Sequence, residues 1–527
     1  MRSPLAPVRS WPEEARQRYR DLGLWTDETF ANFVADRTSR FADRTAVVGR
    51  DADGTEHRWT YAELGRQADA AVRRLRRAEV APGDRVVVAL PNVVEYAAVV
   101  LGLFRLAALP VFALPTHRET ELSHFCDVAD AAALVLCGTD TDAVDLHGKV
   151  AAHVTVEPPT LVDVAGWDLT EEAAPDAPER VSAEDVAFLQ LSGGTTGLSK
   201  LIPRTAADYL YSVRRSATIC ELDETTVMLV PLPVSHNFSM SSPGVLGVWH
   251  AGGTVVLARD PSPRTAFTLI ERERVDIVPL VPPLAQAWIS AARRREPDLS
   301  SLRLVQVGGA RLSDAVAAQV QPVLHGRLQQ VFGMAEGLVN YTRPDDPDEV
   351  VLTTQGRPMS DHDEVRVDDE GRLQTRGPYT IRGYYRAEAA DRDSFTEDGF
   401  YCTGDLVRRL PSGHLVVTGR EKDQINRGGE KIGPDEIETP LLAHPDVLDA
   451  VAVGVPDDLL GERLCVALRI EPGRPEPTDL ADHLRAAGLA THKLPDEFRF
   501  LDALPETHVG KNSRRDLRRV LARRWSA

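Results

Sequence analysis

Cysteine is scarce in this chain: five in 527 residues, at positions 126, 137, 220, 402 and 465, with no two at a paired spacing. That excludes a zinc ribbon or a disulfide framework and suits a reducing, cytoplasmic compartment. Basic residues are also in deficit, 61 Lys and Arg against 79 Asp and Glu, for a net charge of -18. The deficit argues against nucleic acid or an anionic membrane as the main partner. Long uninterrupted apolar runs are missing. The longest apolar region, Tyr96 to Pro115, is broken by Arg105, Pro110 and Pro115, whereas a membrane-spanning helix needs about 20 mostly apolar residues. It reads instead as a buried helix leading into a buried strand. The N-terminal stretch carries Trp11-Pro-Glu-Glu-Ala-Arg rather than a basic end before an apolar core, so no secretory signal is expected.

What the chain does have is alternation. Strands are expected at 44–48, 85–90, 111–114 and 133–136, interleaved with helices that include one from Thr60, a plausible N-cap, through Leu64, Ala68, Ala71 and Leu75. Further strands are expected at 186–191, 227–232, 253–257, 277–280 and 304–308. This is the pattern of layered α/β subdomains around largely parallel sheets. From Glu364 onward short alternating strands with turns at 369–371 and 411–413 suggest a β-rich subdomain. The hydrophilic segment Thr418–Lys431 then precedes a small α/β unit with strands at 451–455 and 464–468. A boundary belongs in such a segment, and the chain divides into 1–420 and 421–527.

The most telling local feature is Ser192-Gly-Gly-Thr-Thr-Gly-Leu-Ser-Lys200, which follows the expected strand 186–191. Gly193, Gly194 and Gly197 let the backbone turn tightly and aim N–H groups at one point; Ser192, Thr195 and Thr196 add hydroxyls and Lys200 a charge. That chemistry suits phosphate. The Walker loop requires Lys directly after its last Gly and Ser or Thr directly after the Lys, whereas Leu198 and Ser199 intervene here and Leu201 follows Lys200, so a Walker nucleotidase is excluded.

Together with Val331-Phe-Gly-Met-Ala-Glu-Gly337, Tyr401-Cys-Thr-Gly-Asp405, the segment 419–432 and Pro505-Glu-Thr-His-Val-Gly-Lys511, this loop resembles the adenylate-forming superfamily over almost the whole chain. With 233–247 added, the chain looks most like its stand-alone aryl-acid adenylating branch, found in siderophore and nonribosomal peptide pathways. The resemblance implies a large N-terminal domain with a small mobile C-terminal one. It also implies an ATP-dependent ligase that forms an aryl adenylate with release of pyrophosphate. By that resemblance Ser192, Gly193, Gly194, Thr195, Thr196 and Lys200 hold the ATP phosphates, and Gly309, Val331, Phe332 and Ala335 line the nucleotide cavity. Asp405 takes the ribose hydroxyls, Arg420 and Lys431 assist, and Glu336 binds Mg²⁺, a hard cation suited to carboxylate and phosphate oxygens. Lys511 bridges the reacting carboxylate and α-phosphate in the chemical step, and Lys422 falls at the hinge.

For the acid, the resemblance points to His236, Asn237, Phe238, Ser242 and Val339. Relatives that activate α-amino acids place an Asp at position 237; a neutral amide fits an aryl acid whose ortho-hydroxyl it can hydrogen-bond. Ser242 beside the small Val339 leaves polar room for a second hydroxyl, which favours 2,3-dihydroxybenzoate over salicylate or another substituted benzoate. No carrier unit remains after Lys511, so the implied acceptor is the phosphopantetheine thiol of an aryl carrier protein supplied in trans, with free CoA as the alternative. Two positions depart from the family pattern: Ala335 stands where Thr is common, and Cys402 where Arg or Lys is common, which leaves the part played by position 402 open.

Overall fold

The computed structural model describes residues 4–139, 142–169, 181–192, 198–427, 430–457, 460–470, 479–505 and 512–523. Its N-terminal part is built on two sheets. The first has six strands in the order Thr160–Asp163, Ala133–Leu136, Arg85–Val88, Leu109–Phe112, Val186–Leu191 and Leu201–Thr205. All neighbours in it are parallel except the last pair. The second has nine strands, and its six central ones are parallel: Arg327–Gly333, Leu304–Gly308, Ile277–Leu280, Val227–Val230, Thr254–Leu257 and Thr45–Arg50. Antiparallel strands flank them at both edges.

The long apolar region is the helix Val94–Leu106, buried at every position but Arg105, followed by the buried strand Leu109–Phe112. A helix apolar on all sides must be covered on all sides, and this one packs against the helix Tyr61–Arg77. That partner begins where its sequence signal lies. Thr60 Oγ1 accepts from the Glu63 N–H at 3.2 Å and Glu63 Oε2 from the Thr60 N–H at 2.7 Å, a reciprocal cap; a lost N-cap costs about 1 kcal/mol.

Among the elements outside the sequence expectations are the strand Leu201–Thr205 and the helix Ala206–Ile219. Pro203 and Arg204 disguise the strand. It lies at the sheet edge, where the missing N–H of a proline is tolerated. Beyond these sheets, Glu364–Val367, Arg372–Arg376, Tyr401–Arg409 and Leu415–Arg420 form a four-stranded antiparallel sheet. Strands from Ile425–Arg427 to Glu497–Phe500 form a separate five-stranded one, so sheet membership changes between Arg420 and Ile425. The five cysteines are free thiols, all buried except half-exposed Cys402. Among the described residues no helix is long and apolar enough to cross a membrane.

Candidate active site

Ligands in open α/β sheets gather outside the carboxyl ends of the parallel strands, and three strands of the nine-stranded sheet end at one edge here. Val227–Val230 runs out towards His236 and Asn237, Leu304–Gly308 into Gly309, and Arg327–Gly333 into Met334–Gly337. At that edge the backbone must come close. A Cβ on Gly308 would stand 2.8 Å from the Val331 carbonyl oxygen and 3.2 Å from the Phe238 ring, while Gly309 has φ +86°. Phe238, Val331 and Val339 are all buried, which gives this edge apolar walls.

Asn237 opens a short helix, Asn237–Ser241, capped by the ring of His236, whose Nδ1 accepts from the Phe238 N–H at 3.3 Å. Its amide oxygen is occupied: Tyr209 donates to Asn237 Oδ1 at 2.8 Å. Burial pushes the Tyr209 hydroxyl up to about 12, so it stays a donor at any ordinary pH. The pairing fixes the Asn237 amide with its N–H donors directed elsewhere, which is what a hydroxyl or carboxylate acceptor on a ligand requires. Ser242 is buried, near the hydroxyl of Tyr341, which donates to Ser216 at 2.8 Å.

Beneath Tyr209 sits a group that the sequence did not mark. Arg204, 2 % exposed, lies with its guanidinium 5.0 Å from the centre of the Tyr209 ring, pairs with fully buried Asp208 at 3.3 Å, and donates to the Ala335 carbonyl at 2.8 Å. Burial pushes Asp208 up to about 6, with the Arg204 charge pulling it back. The arginine therefore ties the Asn237 end of the site to the turn that carries Glu336.

Glu336 is 6 % exposed, and its Oε1 accepts from Tyr384 at 2.9 Å. Tyr384 also meets the Tyr401 hydroxyl at 3.2 Å and carries Lys200 Nζ over its ring, 4.0 Å from the centroid. Burial raises the Glu336 carboxyl above its ordinary range, opposed by the Tyr384 hydrogen bond and by the Lys200 charge. The folded chain thus keeps this proton to higher pH than the unfolded chain, and ionising Glu336 subtracts stability as pH climbs through that window. Glu336→Gln keeps the acceptor for Tyr384 and removes the charge. Its ligand-free thermal midpoint is expected to exceed wild type by a few degrees at about pH 8, the gap closing towards about pH 5. An equal or lower midpoint at the higher pH contradicts this in a scanning fluorimetry series.

The neck of the glycine-rich loop is clamped by Ser192, whose N–H donates to the Lys200 carbonyl at 3.0 Å and whose hydroxyl accepts from the Lys200 N–H at 2.9 Å. Gly193, Gly194, Thr195 and Thr196 lie outside the described residues. Gln190, just before the loop, donates to the Ser235 carbonyl at 3.3 Å and joins this neck to the loop that precedes Asn237. Asp405 is buried, its N–H donates to the Thr403 hydroxyl at 3.0 Å, and its carboxylate pairs with the cross-strand neighbour Arg420 at 2.9 Å. That carboxylate is the first cause holding Arg420 charged. Phe332 is half-buried, its carbonyl accepting from Asn340 at 3.0 Å. Cys402 accepts from Gln374 at 3.8 Å, a packing contact.

Lys422 lies exposed on the turn Glu421–Asp423, between the two sheets whose membership changes there. Lys431 is in the strand Glu430–Ile432, paired with Asn426; its side chain lies outside the described residues, as does Lys511. The residues that flank Lys511 are well held. The Ser513 N–H donates to the Pro505 carbonyl at 2.7 Å, Asn512 to both Asp449 oxygens at 3.3 Å, and Arg514 to both Glu438 oxygens at 2.7 Å. Tyr209, Arg204 and Tyr384 are the site residues that sequence reasoning missed, and no local pattern signals them.

Comparison with known proteins places this geometry in context. Family models described as AMP-binding enzyme and AMP-binding enzyme C-terminal domain match residues 34–385 and 436–511. A 2,3-dihydroxybenzoate-AMP ligase of Bacillus subtilis is 49 % identical, with 98 % of each chain covered. A vibriobactin-specific 2,3-dihydroxybenzoate-AMP ligase of Vibrio cholerae is 43 % identical over 97 % of each. Among solved structures, apo MbtA of Mycobacterium smegmatis superposes with a TM-score of 0.73 at 42 % identity, covering 97 % of this chain and 98 % of that one.

Proposed function

The chain belongs to the AMP-binding enzyme family, and from that premise we propose that it activates an aryl acid, 2,3-dihydroxybenzoate, with ATP and passes the acyl group to a carrier-bound thiol. The observation that carries this reading is the neutral Asn237 amide, held by Tyr209 and joined through Arg204 to the turn bearing Glu336. An α-ammonium would call for a carboxylate at that end; an ortho-hydroxyl and a flat ring call for an amide donor between apolar walls.

In the first half-reaction a carboxylate oxygen attacks the α-phosphorus. The new O–P bond forms as the bond to the bridging oxygen breaks, and pyrophosphate leaves. Both reactants are anionic, so rate comes from positioning and from fixed positive charge. On this reading Lys200 and the glycine-rich loop serve the leaving group, Asp405 and Arg420 the ribose, and Lys511 the charge shared between carboxylate and α-phosphate. A desolvated carboxylate beside a phosphate-binding lysine, with Tyr384 on one oxygen, is a fitting ligand for a hard cation that also meets phosphate oxygens. Glu336 would hold Mg²⁺, which supplies charge neutralisation at the phosphates.

In the second half-reaction the thiol sulfur of a phosphopantetheinyl aryl carrier protein bonds to the acyl carbon, its proton passes to solvent, and the acyl–oxygen bond to AMP breaks. The change of sheet membership around exposed Lys422 supports a boundary at 420/421, with rotation about Lys422 between the two steps. A cytoplasmic setting fits the free cysteines.

ATP–pyrophosphate exchange over a panel of aryl acids tests the reading, with 2,3-dihydroxybenzoate expected first and salicylate second. Ser242→Cys is expected to move the preference towards salicylate by about 10-fold or more, since a site built to pair a hydroxyl discriminates strongly against its absence. Unchanged ranking in the variant removes Ser242 from the pocket. Better acyl transfer to free CoA than to a carrier protein replaces the carrier by CoA.

A further inference from the structure

Between the glycine-rich loop and the Glu336 turn runs the segment Ile381–Tyr385, stitched by its backbone to both. The Ile381 N–H donates to the Glu336 carbonyl at 2.8 Å and the Tyr385 N–H to the Leu201 carbonyl at 2.9 Å, next to Lys200. In the middle, the Tyr384 N–H donates to Asp391 at 2.8 Å. Among the described residues, Tyr384 is the side chain of this segment that makes polar contacts with both Glu336 and Lys200. Its hydroxyl donates to Glu336 Oε1, and its ring face receives the Lys200 ammonium. The ring is 6 % exposed and backed by Phe395, with Tyr401 meeting the hydroxyl.

We infer that Tyr384 is a positioning residue that sets the Glu336 carboxylate and the Lys200 ammonium at a fixed separation, so that metal and phosphate are received together. The inference rests on the function proposed above. A tyrosine suits the task because it offers one hydroxyl donor and one π face on a rigid ring with two side-chain torsions. A cation on Glu336 leaves one carboxylate oxygen hydrogen-bonded to Tyr384, which fixes its orientation; partners of that kind govern metal affinity without touching the metal. The ring holds the Lys200 ammonium in place until a phosphate oxygen takes it.

The two contacts separate by substitution. Tyr384→Phe keeps the ring and loses the hydroxyl; Tyr384→Leu loses both. The test is calorimetric binding of α,β-methylene-ATP, a non-reacting analogue, titrated with and without Mg²⁺, on the whole protein. For Tyr384→Phe we expect wild-type affinity without Mg²⁺ and a Mg²⁺ dependence displaced about 10–100-fold to higher concentration. For Tyr384→Leu we expect, in addition, about two- to fivefold weaker metal-free binding. The KM for the aryl acid is expected to stay unchanged in both, and a merely structural role would move it together with the others. If Tyr384→Leu fails to fold, Tyr384→Phe decides alone. Wild-type Mg²⁺ dependence that is lost in Glu336→Gln yet intact in Tyr384→Phe overturns this inference and leaves the proposed function standing. Analogue binding that ignores Mg²⁺ in the wild type overturns both.

Discussion

Lys511→Ala is expected to abolish ATP–pyrophosphate exchange while the variant still transfers acyl from a preformed aryl adenylate to its acceptor. The first half-reaction brings two anions together, and charge redistributes between a carboxylate and an α-phosphate at the moment of bond exchange. A preorganised donor that acts there is worth about 2.7–4 kcal/mol, or ~10²–10³ in rate. The second half-reaction starts from an adenylate already made and releases AMP, so the same ammonium has no bond to assist. Selectivity between the halves is the diagnostic. A variant that merely disturbed folding would lower both together. The residues around Lys511 give reason to expect a clean result, since Asn512, Ser513 and Arg514 are each anchored by hydrogen bonds that do not involve position 511. Normal exchange by the variant removes Lys511 from the chemical step.

Asn237→Asp is expected to cut kcat/KM for the aryl acid by at least about 100-fold with the KM for ATP unchanged. The change is one of charge at nearly constant volume. It would set a carboxylate against an anionic substrate, and two like charges about 4 Å apart cost ~4 kcal/mol at the effective dielectric of a partly buried site. Tyr209 cannot relieve it. One hydroxyl proton, already donated to the residue-237 oxygen, does not neutralise a new anion, and Arg204 is engaged by Asp208 and the Ala335 carbonyl. Steady-state exchange kinetics with acid and ATP varied separately checks this; a loss below about threefold places the acid elsewhere.

How much of this was legible beforehand depends on the distance over which each feature is decided. The Thr60 cap and the strands at 133–136, 277–280 and 304–308 are set by neighbours a few residues away, and the local pattern gives them with little error. Glu336 and Asp405 became candidates only because the short glycine-bearing runs that hold them resemble the motifs of a known family; taken alone, each reads as an ordinary helix-start or turn carboxylate. Tyr384, Tyr209 and Arg204 could not be picked out. Tyr384 matters through Glu336, 48 positions away, Tyr209 through Asn237, 28 away, and Arg204 through Ala335, 131 away. Nothing in the residues adjacent to them announces such partners. Arg204 was hidden further by its strand, since Pro-Arg in a five-residue edge segment reads as loop. His236 shows the converse. It was legible as a candidate for the acid, and the structure gives its ring a capping duty towards Phe238.

The buried Arg204–Asp208 pair bears on how such an enzyme can change its diet. Removing one member of a buried ion pair costs about 3–5 kcal/mol, and here the arginine also backs Tyr209 and steadies the Ala335 turn. A mutation that re-aims the Asn237 amide by altering Tyr209 therefore also removes the ring that packs on Arg204, and through it bears on the Ala335 turn. Ser242 and Val339, which the proposed function also sets at the acid, take no part in the Arg204–Asp208 pair. On that reading new substrates should be reached through these two positions, leaving the amide and its support as inherited.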